Sequence, residues 1–145
     1  MFGTHLSVSS AFLGRLPIAF LFAHEAWTKL THYGASIAYM ERFSLPGLLL
    51  PGAIGLELLG GAAILIGWNS RAAALALAVF CVATAFIFHS NLADGNQLLH
   101  FEKDLAIAGG LLILCASGPG LFSLRSLPFN YDASPRSNML IQRAC

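Results

Sequence analysis

The side chains able to do chemistry in this sequence are Arg15, Glu25, Lys29, Glu57, His89, Lys103 and Asp104. Their surroundings make them informative. Glu57 stands in "GLELLGGAAILIG", Gly55 to Gly67, an otherwise aliphatic and small-residue run. A carboxylate in such a medium must be paired, protonated, or in contact with water or a ligand, because an isolated buried charge is costly. Arg15, a strong base inside another apolar stretch, is the expected partner. Two readings of an Arg15–Glu57 pair follow. It fixes helix register, or it belongs to a ligand or proton site in which Glu57 is the candidate proton-transfer group.

Spacing adds to this. Arg15, Phe22 and Lys29 recur every seven residues, and Ile18 and Glu25 fill the same stripe, so one helical face carries two bases and an acid. Glu25 precedes Lys29 by four residues, the favourable order for a helical ion pair. Ala78, Val82, Ala85 and His89 form a comparable face further on, and Asp104, Ala108, Leu111 and Cys115 another, with Lys103 beside it. Polar groups gather at one end of each face, which predicts a polar pocket between helices.

The elements that must position these residues follow from composition. The chain has 145 residues, of which 57% are hydrophobic and 10% charged, against about 25% charged in soluble domains. Four apolar stretches, about 10–27, 46–68, 71–88 and 101–117, approach the ~20 residues that a bilayer requires. The expected fold is therefore an all-α integral membrane protein, a single-domain antiparallel four-helix transmembrane bundle. The first stretch is expected to be retained, because Arg15 lies inside it and no small-x-small cleavage site follows.

Basic residues set the expected orientation. Arg15, Arg71, Arg125, Arg136 and Arg143 fall on the side of the termini, and Lys29, Arg42 and Lys103 on the other, which puts both termini in the cytoplasm. Residues 119–145 form a cytoplasmic tail, and its "LFSLRSLPF" either lies along the membrane surface or is a plain polar segment. The links 28–45, 69–70 and 90–100 are read as connections. Glu57 before Gly60-Gly61 and Asp104 before Gly109-Gly110 look alike, which fits either a duplicated two-helix unit or ordinary helix packing in lipid.

Several classes fall away. A net charge of +1 without a basic patch excludes nucleic acid as a partner. Cys81, Cys115 and Cys145 are scattered and suggest neither a disulfide framework nor a zinc site. His24, His32, His89 and His100 contain no i,i+3 or i,i+4 pair, so neither haem nor a metal is expected. Trp27, Tyr33, Tyr39 and Trp68 read as interface anchors.

The order of segments "LGRLPIAFLFAHEAWTKL", "YMERFSLPG", "GLELLGG", "FHSN", "FEKDLAIAGGLLIL" and "GPGLFSL" resembles the DoxX family of small four-span membrane proteins, over roughly residues 12–124. The resemblance implies a link to respiratory or redox processes, since relatives are described as quinol oxidase or thiosulfate:quinone oxidoreductase subunits or as oxidative-stress partners. It carries the family's arginine onto Arg15, its G-x-x-K-L segment onto Trp27 to Leu30, its span-two acid onto Glu57 and its span-four lysine onto Lys103. Lys103-Asp104 replaces the usual Lys-Asn and His24-Glu25 a small Ser-Gly, so this chain has additional ionisable groups.

The expected function is then that of an inner-membrane, multi-pass protein binding a quinone or similar amphipathic aromatic, at most as a subunit of a quinone-linked oxidoreductase. Arg15, Glu25, Lys29, Glu57, His89, Lys103 and Asp104 would contact the ligand, with no covalently bound cofactor. The alternative is a non-catalytic membrane anchor or assembly partner of a soluble oxidoreductase. A small transporter, built as a homodimer, is a third class, although the half of the bundle around Arg15 offers few other polar groups to line a path.

Overall fold

A computed structural model describes residues 2–118, with side chains from Phe12 onward. The tail and its "LFSLRSLPF" lie outside the described residues. Among them the chain is helical, with no strand: α1 (Phe2–Thr31), α2 (Tyr33–Arg42), a 3-10 turn (Gly47–Leu49), α3 (Leu50–Ile66), α4 (Ser70–Phe88) and α5 (Gly95–Ser117).

Local chemistry sets the ends. Pro46 is extended (φ −62°, ψ 130°) and the 3-10 turn leads from it into α3, where Pro51 occupies the first turn, a position whose N–H has no helical partner. Gly67 closes α3 in the left-handed region at φ 74°, and Asn69 opens α4 there at φ 46°. Those two residues reverse the chain within the short link 67–69. Asp94 caps α5 by accepting a hydrogen bond from the Asn96 N–H at 2.9 Å.

The link 28–45 is more structured than the sequence suggests. α1 continues to Thr31, and α2 occupies most of the remainder. The break falls where the Thr31 hydroxyl bonds the Trp27 and Thr28 carbonyls and His32 leaves the helical region (φ −116°, ψ 42°). α2 folds over one end of the molecule, where Met40 is buried with Ala26, Leu50 and Ile54. Tyr39 stacks on Phe88 with ring centroids 5.4 Å apart, and Phe43 meets the same ring edge-on at 5.1 Å. Ten residues containing Gly34 and two tyrosines give too short and mixed a pattern to stand out as a helix.

α3 packs against α1 and α4, and α4 against α5. The shared core takes Phe22 from α1, Ile64 from α3, Ala74, Leu77, Ala78 and Cys81 from α4, and Ala108, Leu111 and Leu114 from α5. The α4 face thus runs through Ala74, Leu77 and Cys81 as well as the expected Ala78 and Ala85, whereas Val82 is exposed. Outward-facing residues are large and apolar: Phe20, Leu59, Val79, Phe86 and Ile113 are 61–75% exposed. This inverts the soluble pattern, in which large contiguous apolar surface is rare. Among the described residues, Gly47–Ile66 and Ser70–Phe88 are long and apolar enough to cross a membrane, while α1 and α5 carry charges within their lengths.

The two glycine pairs do different work. A Cβ at Gly60 would lie 2.9 Å from Leu77 Cδ1, and one at Gly61 3.3 Å from Phe22 Cβ and 3.5 Å from the Ala19 carbonyl, so these glycines let α3 meet both neighbours closely. Gly109 and Gly110 would meet nothing within 4 Å. Gly60→Ala is therefore expected to lower the unfolding free energy in detergent micelles by about 1–3 kcal/mol, through overpacking. Gly109→Ala should be neutral or stabilising by up to about 1 kcal/mol, and equal losses at both positions would contradict this assignment.

Candidate functional site

The end of the molecule where α1 finishes and α3 begins holds the ionisable cluster. Lys29 lies near the end of α1, and its side chain leans back toward the helix N-terminus, as helical side chains do. That direction carries Nζ to Glu57 on α3. The ammonium lies 2.9 Å from Glu57 Oε1 and 3.2 Å from Glu25 Oε2, so it bridges two carboxylates. They differ in access, since the Glu57 side chain is 3% exposed and that of Glu25 47%. The bridge runs from the surface to the interior.

Glu57 Oε1 has its partner; Oε2 is buried and has no hydrogen-bond partner among the described residues. A carboxylate oxygen so placed accepts from whatever donor enters beside it, or takes a proton. Cys81 is buried nearby, within the electrostatic reach of Glu57, Lys29 and Asp104. Its position joins this cluster to a second one.

The second cluster belongs to α4 and α5. The Thr84 hydroxyl donates to Asp104 Oδ2 at 3.5 Å, at the long limit of a hydrogen bond, and also to the Cys81 carbonyl at 2.9 Å. His89 Nδ1 meets Gln97 Oε1 at 2.8 Å, and the His89 and His100 rings stack with centroids 5.0 Å apart. Lys103 Nζ lies 3.3 Å from His100 Nδ1. These groups surround the same end of the bundle as Lys29.

The expected partner of Glu57 is corrected by this geometry, because its ion pair is with Lys29. The Arg15 guanidinium is buried toward the opposite end, 3.5 Å from the Ile64 carbonyl and 5.4 Å from the Phe12 ring centroid. Ile64 is seven residues past Glu57, about 10 Å along the helix at ~1.5 Å per residue. Span arithmetic placed Arg15 and Glu57 within reach of each other but did not weigh how far Lys29 reaches backward. Of the remaining expected site residues, the Glu25–Lys29 pair forms, and His89, Lys103 and Asp104 share the second cluster. Thr84 and Gln97 were missed, although Thr84 lies one turn beyond Cys81 on an otherwise apolar helix and so was visible as an unexplained polar residue.

Apolar residues outward, small residues and paired charges inward, and long helices without strands define a helical membrane protein. The model of the DoxX family matches residues 10–90. The chain belongs to the DoxX family. It is 44% identical over 115 residues to inner membrane protein YqjF of Escherichia coli (strain K12), covering 79% of this chain and 88% of that protein. It is 29% identical over 119 residues to inner membrane protein YphA of the same organism, covering 77% and 85%. No solved structure matches the chain.

The two salt bridges of Lys29 should differ in worth. Lys29→Met leaves the Glu57 carboxylate buried without its cation and is expected to cost about 3–5 kcal/mol, whereas Glu25→Gln removes a half-exposed partner and should cost less than about 1 kcal/mol. Lys29→Met combined with Glu57→Met should recover most of the loss. Reversible unfolding in mixed detergent micelles measures all three, and a double variant no more stable than Lys29→Met would rule out the buried pair as the source.

Proposed function

We propose that this chain is a multi-pass inner-membrane protein whose four long helices cross the bilayer antiparallel, and that it binds a quinone or similar amphipathic aromatic beside Lys29 and Glu57. Relatives named as inner membrane proteins support the location. The proposed orientation has both termini in the cytoplasm, and the excess of arginine in that half of the sequence pattern, Arg15, Arg71, Arg125, Arg136 and Arg143, supports it.

The observation that carries the ligand reading is the unpartnered Oε2 of buried Glu57 beside the partly exposed Lys29 ammonium. A ring carbonyl would accept from Lys29, and a ring hydroxyl would donate to Glu57 Oε2. A quinone supplies a two-electron, two-proton couple. Lys29 and Glu57 hold its oxygens, and Glu25 links that site to solvent as a proton exchanger. Asp104, His89, His100 and Lys103 offer further polar contacts on the opposite helices. Electrons would come from a partner oxidoreductase.

Detergent-purified protein and its Glu57→Gln variant, compared by solvent extraction, mass spectrometry and optical spectrum, test this. Quinone retained by the native chain should fall about tenfold or more in the variant, the size expected for losing one charge-assisted hydrogen bond. The variant should remain folded, because Lys29 keeps Glu25. An empty native protein as stable as its variant would overturn the quinone and favour the anchor or assembly role, with the search moving to co-purifying proteins.

A further inference from the structure

α2 is attached to the bundle differently from the long helices. It packs mainly on the end of α1 and on the 3-10 turn, its neighbours in sequence. Toward the interior it turns Ile37 and Met40, one turn apart on one face, while Glu41 and Arg42 are exposed. Met40 closes over Ala26, Leu50 and Ile54, and Tyr39 and Phe43 reach across to the Phe88 ring at the end of α4. The helix is thus a strap across the end of the bundle, from α1 to α4.

Both ends of the strap are bent. At its start His32 leaves the helical region. At its finish Ser44 takes φ 59°, a left-handed position where glycine is usual, and the Leu45 N–H returns to the Met40 carbonyl at 3.1 Å. Just beyond, Gly47 lies under Ile37, where a Cβ would be 2.7 Å from Ile37 Cγ2, so the strap rests directly on the turn. A segment set between two bends and held by one methionine and two rings is of the kind that opens locally while the core stays folded.

What the strap covers is the Lys29–Glu57 pair. Ala26 precedes Lys29 by three residues and Ile54 precedes Glu57 by three, so Met40 packs on residues one helical turn from each partner. Leu50 and Ile54 stand between Glu57 and that end of the molecule. Glu25 and Lys29 offer a proton a way in, but Glu57 Oε2 is enclosed, and a ring reaches it only if a covering element moves. We propose that α2 is a lid: release of Tyr39 and Phe43 from Phe88 lets it turn about His32 and Ser44, lifts Met40 and opens a path for an apolar ring to Glu57. The lid rests on the reading that a ligand binds beside Glu57, and adds to it the route and the element that controls entry.

The test is the reaction of Glu57 with dicyclohexylcarbodiimide, an apolar carboxyl reagent whose rings are comparable in size to a quinone ring, read by peptide mass spectrometry on the full chain in micelles. Ile37→Cys with Gly47→Cys, in a chain whose Cys81, Cys115 and Cys145 are replaced by alanine, sets two Cβ atoms 3.5 Å apart, a separation that a disulfide spans. Oxidation then pins α2 to the turn. Glu57 should react at least about tenfold more slowly in the oxidised chain than in the same chain reduced, while exposed Glu102 reacts alike in both and serves as the reference. Tyr39→Ala with Phe43→Ala should speed the reaction by about tenfold or more, the size expected for two lost aromatic contacts. Circular dichroism confirms that each variant is helical. Equal rates in the oxidised and reduced chains, or no acceleration in the aromatic variant, overturn the lid. So does a Glu57 that stays unmodified in every form while Glu102 reacts, since nothing then opens. None of these readings needs a quinone: a chain that retains none can still show the lid, and a chain that retains one can lack it.

Discussion

A carboxylate set among apolar helices needs a cation within reach, and the contact of Lys29 with Glu57 is the constraint on which the packing of α1 and α3 turns. At 2.9 Å it fixes both how far α1 slides along α3 and how it is rotated. With that register set, Ala26 and Ile54 meet near the α2 end, Phe22 and Ala19 meet Gly61, and Arg15 comes to rest beside the Ile64 carbonyl. One polar contact thereby aligns a run of small ones.

The interior otherwise consists largely of small side chains. Ala74, Ala78, Ala85 and Ala108 are buried with Gly60 and Gly61, and the bulky aliphatics between them, such as Leu77 and Leu111, fill the gaps. Lipid is as apolar as leucine, so burying hydrocarbon drives little helix association in a membrane, and close backbone approach with van der Waals contact takes its place. Glycine is used in two senses here. At Gly60 and Gly61 its missing side chain is filled by a neighbouring helix, and at Gly14 and Gly110 it leaves a space.

Much of this was legible from the residues. The long helices, the inward face of Arg15 and Phe22 on α1, the Glu25–Lys29 pair and the burial of Glu57 follow from period and from the cost of charge in an apolar medium. The partner of Glu57 did not: Arg15 is the strong base well inside the first apolar stretch and is the one expected from position, whereas the backward reach of Lys29 from the end of α1 shows only in three dimensions. α2 was hidden by its brevity, its fold over the bundle end depending on the Phe88 ring from a distant helix. The resemblance of Glu57-Gly60-Gly61 to Asp104-Gly109-Gly110 concealed a difference of environment: the first acid meets Lys29 directly, the second is held through Thr84 and nearby imidazoles.

The pattern of helix interfaces also bears on how such a chain is made. Among the described residues, every strong helix interface joins elements that are consecutive or separated only by the short segment of α2 and the 3-10 turn. Contacts local in sequence cost little loop-closure entropy and form quickly. The described helices can therefore dock one after another as synthesis delivers them, and their core is acquired progressively.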